Sequence, residues 1–157
     1  MSTLCYNRFK INGTGIVDIM SNKEKQPDLV KELKKKETGE PIAKFLKMKL
    51  AELKPGYAKV TMKVAPEHLN FNGMIFGGIV MCLADQAFAY GTNSLVTPSI
   101  ATQFNIHLIS SAKVGDTLTA ECRVIKSGRR IGVSEMTVTD SEGKLIAKAT
   151  GTTVVTG

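Results

Sequence analysis

The sequence lacks what would mark a disulfide scaffold, a metal protein or a membrane protein. Its 157 residues include three cysteines, Cys5, Cys82 and Cys122. They form an odd, scattered set with no CxxC pair, so neither a zinc ribbon nor a thioredoxin-type motif is supported. Such thiols fit a reducing cytosol, and a cytoplasmic location is expected. No basic segment followed by an apolar run opens the chain, which argues against a secretory leader. The longest apolar stretch, Gly73 to Gly91, is broken by Asp85 and Gln86. A membrane span needs about 20 mostly apolar residues, and an acid in mid-span is costly. A membrane partner is rejected on that ground. No GxSxG nucleophile elbow, helix-turn-helix pattern, internal repeat or low-complexity tract is present. His68 and His107 have no carboxylate or cysteine partner at ligand spacing, so no metal is expected.

What is present describes an ordinary globular domain. The length fits one domain, and such a chain buries roughly 70% of its unfolded surface without needing a staple. Hydrophobic residues make up 43% and charged residues 22%. Lys and Arg outnumber Asp and Glu by 21 to 14, a net charge of +7. That excess favours an anionic partner without choosing between nucleic acid and a phosphate-bearing small molecule.

Periodicity divides the chain. Residues 1 to 21 show no clear period and suggest a flexible arm or a stray strand. After Pro27, the apolar residues Leu29, Val30 and Leu33 suit a short amphipathic helix, and Ile42 to Leu46 a second helical turn. Residues 1–40 are therefore taken as an arm with a Lys-rich helix, and 41–157 as the main domain. Lys34, Lys35 and Lys36 read as a solvated face. Single-strand binders interleave aromatics for base stacking, and this stretch has none, so nucleic acid is disfavoured.

Beyond Met48 the period shortens to two. Lys54-Pro55-Gly56 is a turn, and Ala58, Val60, Met62 and Val64 share one face of the strand that follows. Phe76 to Asn93 reads as a helix, apolar almost all round, that belongs in the middle of a core. Strands are expected over Ser99 to Ile109, Leu118 to Val124, Ile131 to Thr139 and Lys144 to Val155. The sum is an α+β domain whose antiparallel sheet curls around one long apolar helix, with a short N-terminal helix.

Chemistry concentrates on that helix. Gly77-Gly78 stands at its start, where free N–H groups and the positive dipole end can receive an oxyanion or a polarised carbonyl. The same two glycines also suit close helix–sheet packing. Asp85 is its one charge. A carboxylate buried among Leu83, Ala84, Ala87 and Phe88, with no Lys or Arg along the helix, reads as a functional acid with a raised pKa. Eight residues separate Gly77 from Asp85, about 12 Å of helix. If they act on one carbonyl, they meet across a dimer of antiparallel helices.

His68-Leu69-Asn70-Phe71-Asn72-Gly73, Phe76-Gly77-Gly78 and Leu83-Ala84-Asp85 resemble the hotdog-fold acyl-CoA thioesterases of the phenylacetate-pathway (PaaI) type. Ser110 to Asp116 and Lys126 to Arg129 look like that family too, and the similarity spans roughly Ile42 to Val155. The resemblance implies hydrolysis of an acyl-CoA to a carboxylate and free CoA, with CoA entering as substrate and no other cofactor. It makes Asp85 the general base or nucleophile, and the partner's Gly77 N–H the donor to the thioester oxygen. Asn70 would orient water or substrate. The CoA-binding loops would fall on Ser110, Ser111 and Lys113, and on Lys126, Ser127, Gly128, Arg129 and Arg130. Substrate contacts would also include Phe76, Gly78 and Thr102. Arginines at such a loop suit phosphates, which they grip through a planar fork. Two positions depart from the family: Phe76 stands where a His is frequent, and Ala101 where a relative has a water-orienting Ser, with Thr102 beside it. The implied assembly is a homodimer or a dimer of dimers. Competing readings are a non-catalytic acyl-CoA binding module, a nucleic-acid binder using the Lys-rich segment, and another hotdog reaction such as acyl dehydration.

Overall fold

The computed structural model describes residues 28–37 and 39–156, and the backbone of two short paired strands, β1 (Lys10–Ile11) and β2 (Val17–Asp18). The rest of the expected N-terminal arm, including Cys5, lies outside the described residues. The elements that follow are α1 (Leu29–Glu37), α2 (Pro41–Phe45), β3 (Lys49–Lys54), β4 (Tyr57–Lys63), α3 (Gly77–Asn93), β5 (Ser99–Leu108), β6 (Thr117–Ser127), β7 (Ile131–Thr139) and β8 (Leu145–Val155). Strands β3 to β8 form one antiparallel sheet in the order β3-β4-β6-β7-β8-β5.

Alternation sets the inward face. Ala58, Val60, Met62 and Val64 are buried from β4 onward, Leu118, Ala120 and Cys122 from β6, and Met136 and Val138 from β7. The β3–β4 hairpin turns at Gly56, whose φ of 73° suits a residue without a Cβ. Its N–H donates to Ser94 Oγ at 2.8 Å, tying the hairpin to the C-terminal end of α3.

Helix α3 lies against the inward face. Val80, Leu83, Ala84, Ala87 and Phe88 are buried on its sheet side, and the Phe88 ring meets Phe104 of β5 at 5.8 Å between centroids. Close approach depends on small residues: a Cβ on Gly91 would sit 2.7 Å from Cys122 Sγ. The expectation of a helix enclosed all round needs correction. Met81, Cys82, Asp85 and Ala89 are exposed, a stripe at the spacing of one helix face. Six strands curl past one side of the helix, and in a single chain the other side stays open.

Asp85 is corrected with it. Leu83, Ala84, Ala87 and Phe88 point toward the sheet, and the carboxylate stands on the open face instead of among them. The N-terminal helices reach the same body. Val30 and Leu33 of α1 pack against the core, and Ala43 and Leu46 are buried. Lys34, Lys35 and Lys36 are exposed, as a solvated face requires. Among the described residues no helix is long and apolar enough to cross a membrane. Nor does any cluster of three or more His, Cys, Asp or Glu suited to a metal occur among them.

Candidate functional site

The chain enters α3 through a stapled loop. Asn70 Oδ1 accepts the N–H groups of Asn72 at 2.9 Å and Met74 at 3.2 Å. The Asn70 N–H donates to the Met74 carbonyl, and Leu69 bridges Ile75. Below it, buried His68 accepts the Ala65 N–H on Nδ1 at 3.1 Å, and its carbonyl receives the Phe76 N–H at 2.9 Å. His68 is thus a structural group. Asn70 spends its carboxamide oxygen on the loop, which leaves Nδ2 as its group for any outside partner.

The loop delivers Phe76 in an extended conformation as the residue before the helix, with no side-chain cap. Gly77 and Gly78 follow in the first turn, whose N–H donors have no intrahelical carbonyl to meet. A Cβ on Gly77 would lie 2.5 Å from Leu108 Cδ1, and one on Gly78 would lie 2.5 Å from the Phe76 ring. The packing reading of the glycine pair therefore holds at Gly77, which faces β5, while Gly78 leaves room for the Phe76 ring. Glycine permits the contact with β5 and also keeps the donors partly accessible.

Asp85 stands about 12 Å further along the helix by its rise per residue. No basic group pairs with it among the described residues, and desolvation by the surrounding protein raises its pKa above the ordinary aspartate value. An unpaired carboxylate of raised pKa takes up a proton more readily than a salt-bridged one.

The remaining expected positions fall at two ends of the sheet. Ser110, Ser111 and Lys113 follow β5, beside the start of β8. There the Ser110 N–H donates to the Ile146 carbonyl, Lys144 Nζ reaches the Ser111 carbonyl at 2.9 Å, and the Lys113 N–H meets Asp116 Oδ2 at 2.7 Å. Lys126 to Arg130 form the β6–β7 turn, closed by the Gly128 N–H on the Ile131 carbonyl. Lys126, Arg129 and Arg130 are exposed. Strand β7 spans nine residues from one end to the other, so the two loops are about 30 Å apart. One chain does not bring them together. Thr102 sits at a bulge in β5, exposed next to Ala101, its hydroxyl donating to the Thr152 carbonyl at 3.3 Å.

Residues 72–147 match the thioesterase superfamily. Acyl-coenzyme A thioesterase PaaI of Escherichia coli is 34% identical over 105 residues, which cover 67% of this chain and 75% of that protein. The chain belongs to the thioesterase superfamily. Its fold matches the solved E. coli PaaI structure with a TM-score of 0.80 at 29% identity, over 83% of this chain and 94% of that one. A Streptococcus mutans protein solved bound to acetyl CoA matches with a TM-score of 0.68 at 33% identity, over 70% and 89% of the two chains. The sheet and helix described above are thus a hotdog fold of the PaaI type.

Within this thioesterase, sequence reasoning missed one group. Glu40, in the turn between α1 and α2, receives on Oε2 both Gln86 Nε2 at 2.6 Å and the Tyr90 hydroxyl at 2.7 Å. Burial, reinforced by Glu40, holds the Tyr90 phenol well above its usual pKa. The available signal was Gln86 and Tyr90 at i, i+4 in an otherwise apolar helix, a pair that needs a polar partner when buried.

Proposed function

We propose that this thioesterase hydrolyses acyl-CoA esters to a carboxylate and free CoA, with Asp85 as general base or nucleophile. The observation that carries the reading is Asp85 itself: unpaired, on the open face of α3, with its pKa raised by desolvation. As a base it takes a proton from water while the water oxygen bonds to the acyl carbon. The carbon–sulfur bond then breaks, and the CoA thiolate leaves with a proton. As a nucleophile its carboxylate oxygen bonds to the acyl carbon and expels the CoA thiolate, and water later cleaves the resulting anhydride to the free acid and the Asp85 carboxylate.

The oxyanion needs a donor that Asp85's own helix start is too distant to supply. A second copy with its α3 antiparallel across the open face supplies Gly77, and the same two-fold relation sets one chain's Ser110–Lys113 end beside the partner's 126–130 turn. One CoA then meets both basic loops. Exposed Phe76, Met81, Leu108 and Ile109 supply apolar surface for such a contact. A homodimer, or a dimer of dimers, is therefore part of the mechanism. The acetyl CoA-bound state of the S. mutans protein supports the substrate class, and the free thiols of Cys82 and Cys122 suit a cytoplasmic setting.

CoA release from a panel of aryl and medium-chain acyl-CoAs tests this. Turnover is expected, with Asp85→Ala losing about 10²- to 10⁴-fold in kcat/KM. Full activity of that variant overturns the mechanism. Phe76 and Ala101 favour a second reading, a non-catalytic acyl-CoA binding protein, which tight ester binding without turnover would establish.

A further inference from the structure

The glycine at position 77 answers to a neighbouring side chain, not to its own backbone. Among the described residues the glycines of positive φ are Gly56, Gly73, Gly115 and Gly143, and Gly77 is not one of them. What leaves no room for a side chain there is Leu108, the last residue of β5, whose Cδ1 lies 2.5 Å from where a Cβ would stand. Apart from chain neighbours and the helix's own backbone, no other described residue comes within 4 Å of that point. Strand pairing fixes Leu108 from behind. It is registered against Ala147 of β8, and the next N–H, on Ile109, donates to the Ile146 carbonyl at 2.8 Å. Leu108 is nevertheless 54% exposed, so it lies at the rim of the core and not within it. The Phe76 ring stands over Gly78 in the same way, its Cε1 2.5 Å from the place of a Gly78 Cβ. Two apolar side chains thus flank the free N–H donors at the start of α3.

We propose that Leu108 is a positioning residue for the oxyanion. Its isobutyl group braces the first turn of α3 and keeps water from competing for the Gly77 N–H beside it. This rests on the acyl-CoA hydrolysis proposed above, with Gly77 as the donor. A donor aimed at developing negative charge acts more strongly where water is excluded and where its geometry is fixed beforehand. That charge appears only as the carbonyl carbon turns tetrahedral, so the contribution of Leu108 falls on kcat and not on binding of the ester.

The test measures CoA release from the ester of the acyl-CoA panel with the highest kcat/KM. Leu108→Ala removes the apolar tip and no polar group, and should lower kcat about tenfold while KM stays within about twofold. Leu108→Met puts back an apolar tip and should recover most of that loss. The acidic limb of the pH profile, set by Asp85, should keep its position in both variants. Ile109→Ala is the control for contact between copies, because Ile109 is exposed to a similar degree, 52%, without reaching Gly77. It should lose several-fold less in kcat than Leu108→Ala. Gly77→Ala gives a second reading. Its methyl displaces Leu108 in the native background but finds room in the Leu108→Ala background, so the two losses should fall well short of multiplying. Native kcat in Leu108→Ala, a loss confined to KM, equal losses in Leu108→Ala and Ile109→Ala, or losses that multiply in the double variant would each overturn the proposal while hydrolysis at Asp85 stands. No CoA release from any ester by the native protein overturns the hydrolytic reading itself, and this proposal with it.

Discussion

The two faces of α3 follow different rules. On the sheet side, Leu83, Ala84, Ala87 and Phe88 are packed against strands and hold the domain together. On the open side, Met81, Cys82, Asp85 and Ala89 touch little of their own chain. One helix therefore separates packed residues from open ones by rotation alone, about 100° per residue. The neighbours Asp85 and Gln86 show it sharply. Gln86 is buried and bonded to Glu40, whereas Asp85 is exposed and unpaired. The lesson is that an apolar helix with one charge need not bury that charge when the sheet covers only one of its sides.

Substitutions on each face can break this division. Phe88→Ala removes a fully buried ring and should cost about 3–5 kcal/mol in denaturant unfolding. A loss much below that would mean the sheet side is not the stabilising one. Gly91→Ala should cost about 1–3 kcal/mol, because its Cβ would press on Cys122 Sγ at 2.7 Å. Asn70→Ala should cost about 1 kcal/mol by removing the acceptor of two loop N–H groups. Asn70→Asp, which keeps that acceptor, should recover most of it.

The smallest effect belongs to Asp85 and has the opposite sign. Its folded pKa is raised, so the native state binds the proton more tightly than the unfolded state. Folding stability should fall as pH rises from the ordinary aspartate range through the raised value. Asp85→Asn should remove that dependence and leave the protein slightly more stable at neutral pH. The same raised value sets the activity profile: kcat/KM should fall on acidification from a pH above the ordinary aspartate pKa. Destabilisation of the neutral protein by Asp85→Asn would place the carboxylate in a structural role.

Much of the fold was legible in the chain. The period-two runs of β4, β6 and β7, the turn at Gly56 and the long helix ending at Asn93 all follow from local pattern and turn chemistry. Asp85 stood out as the one charge in an apolar helix, and Gly77 by its place at the start of that helix. The burial of Asp85 was misread because periodicity describes a helix's faces, not how many neighbours exist to cover them. Only the strand order showed that the loops at 110–113 and 126–130 sit at opposite ends of the sheet.

By itself, then, the sequence determined the elements and the inward face of the sheet, because those depend on contacts within a few residues. The tertiary structure alone decided that Asp85 faces outward and that Glu40 meets Gln86 and Tyr90 across 46 and 50 residues. Those facts depend on which distant segments pack side by side, and no local period encodes that.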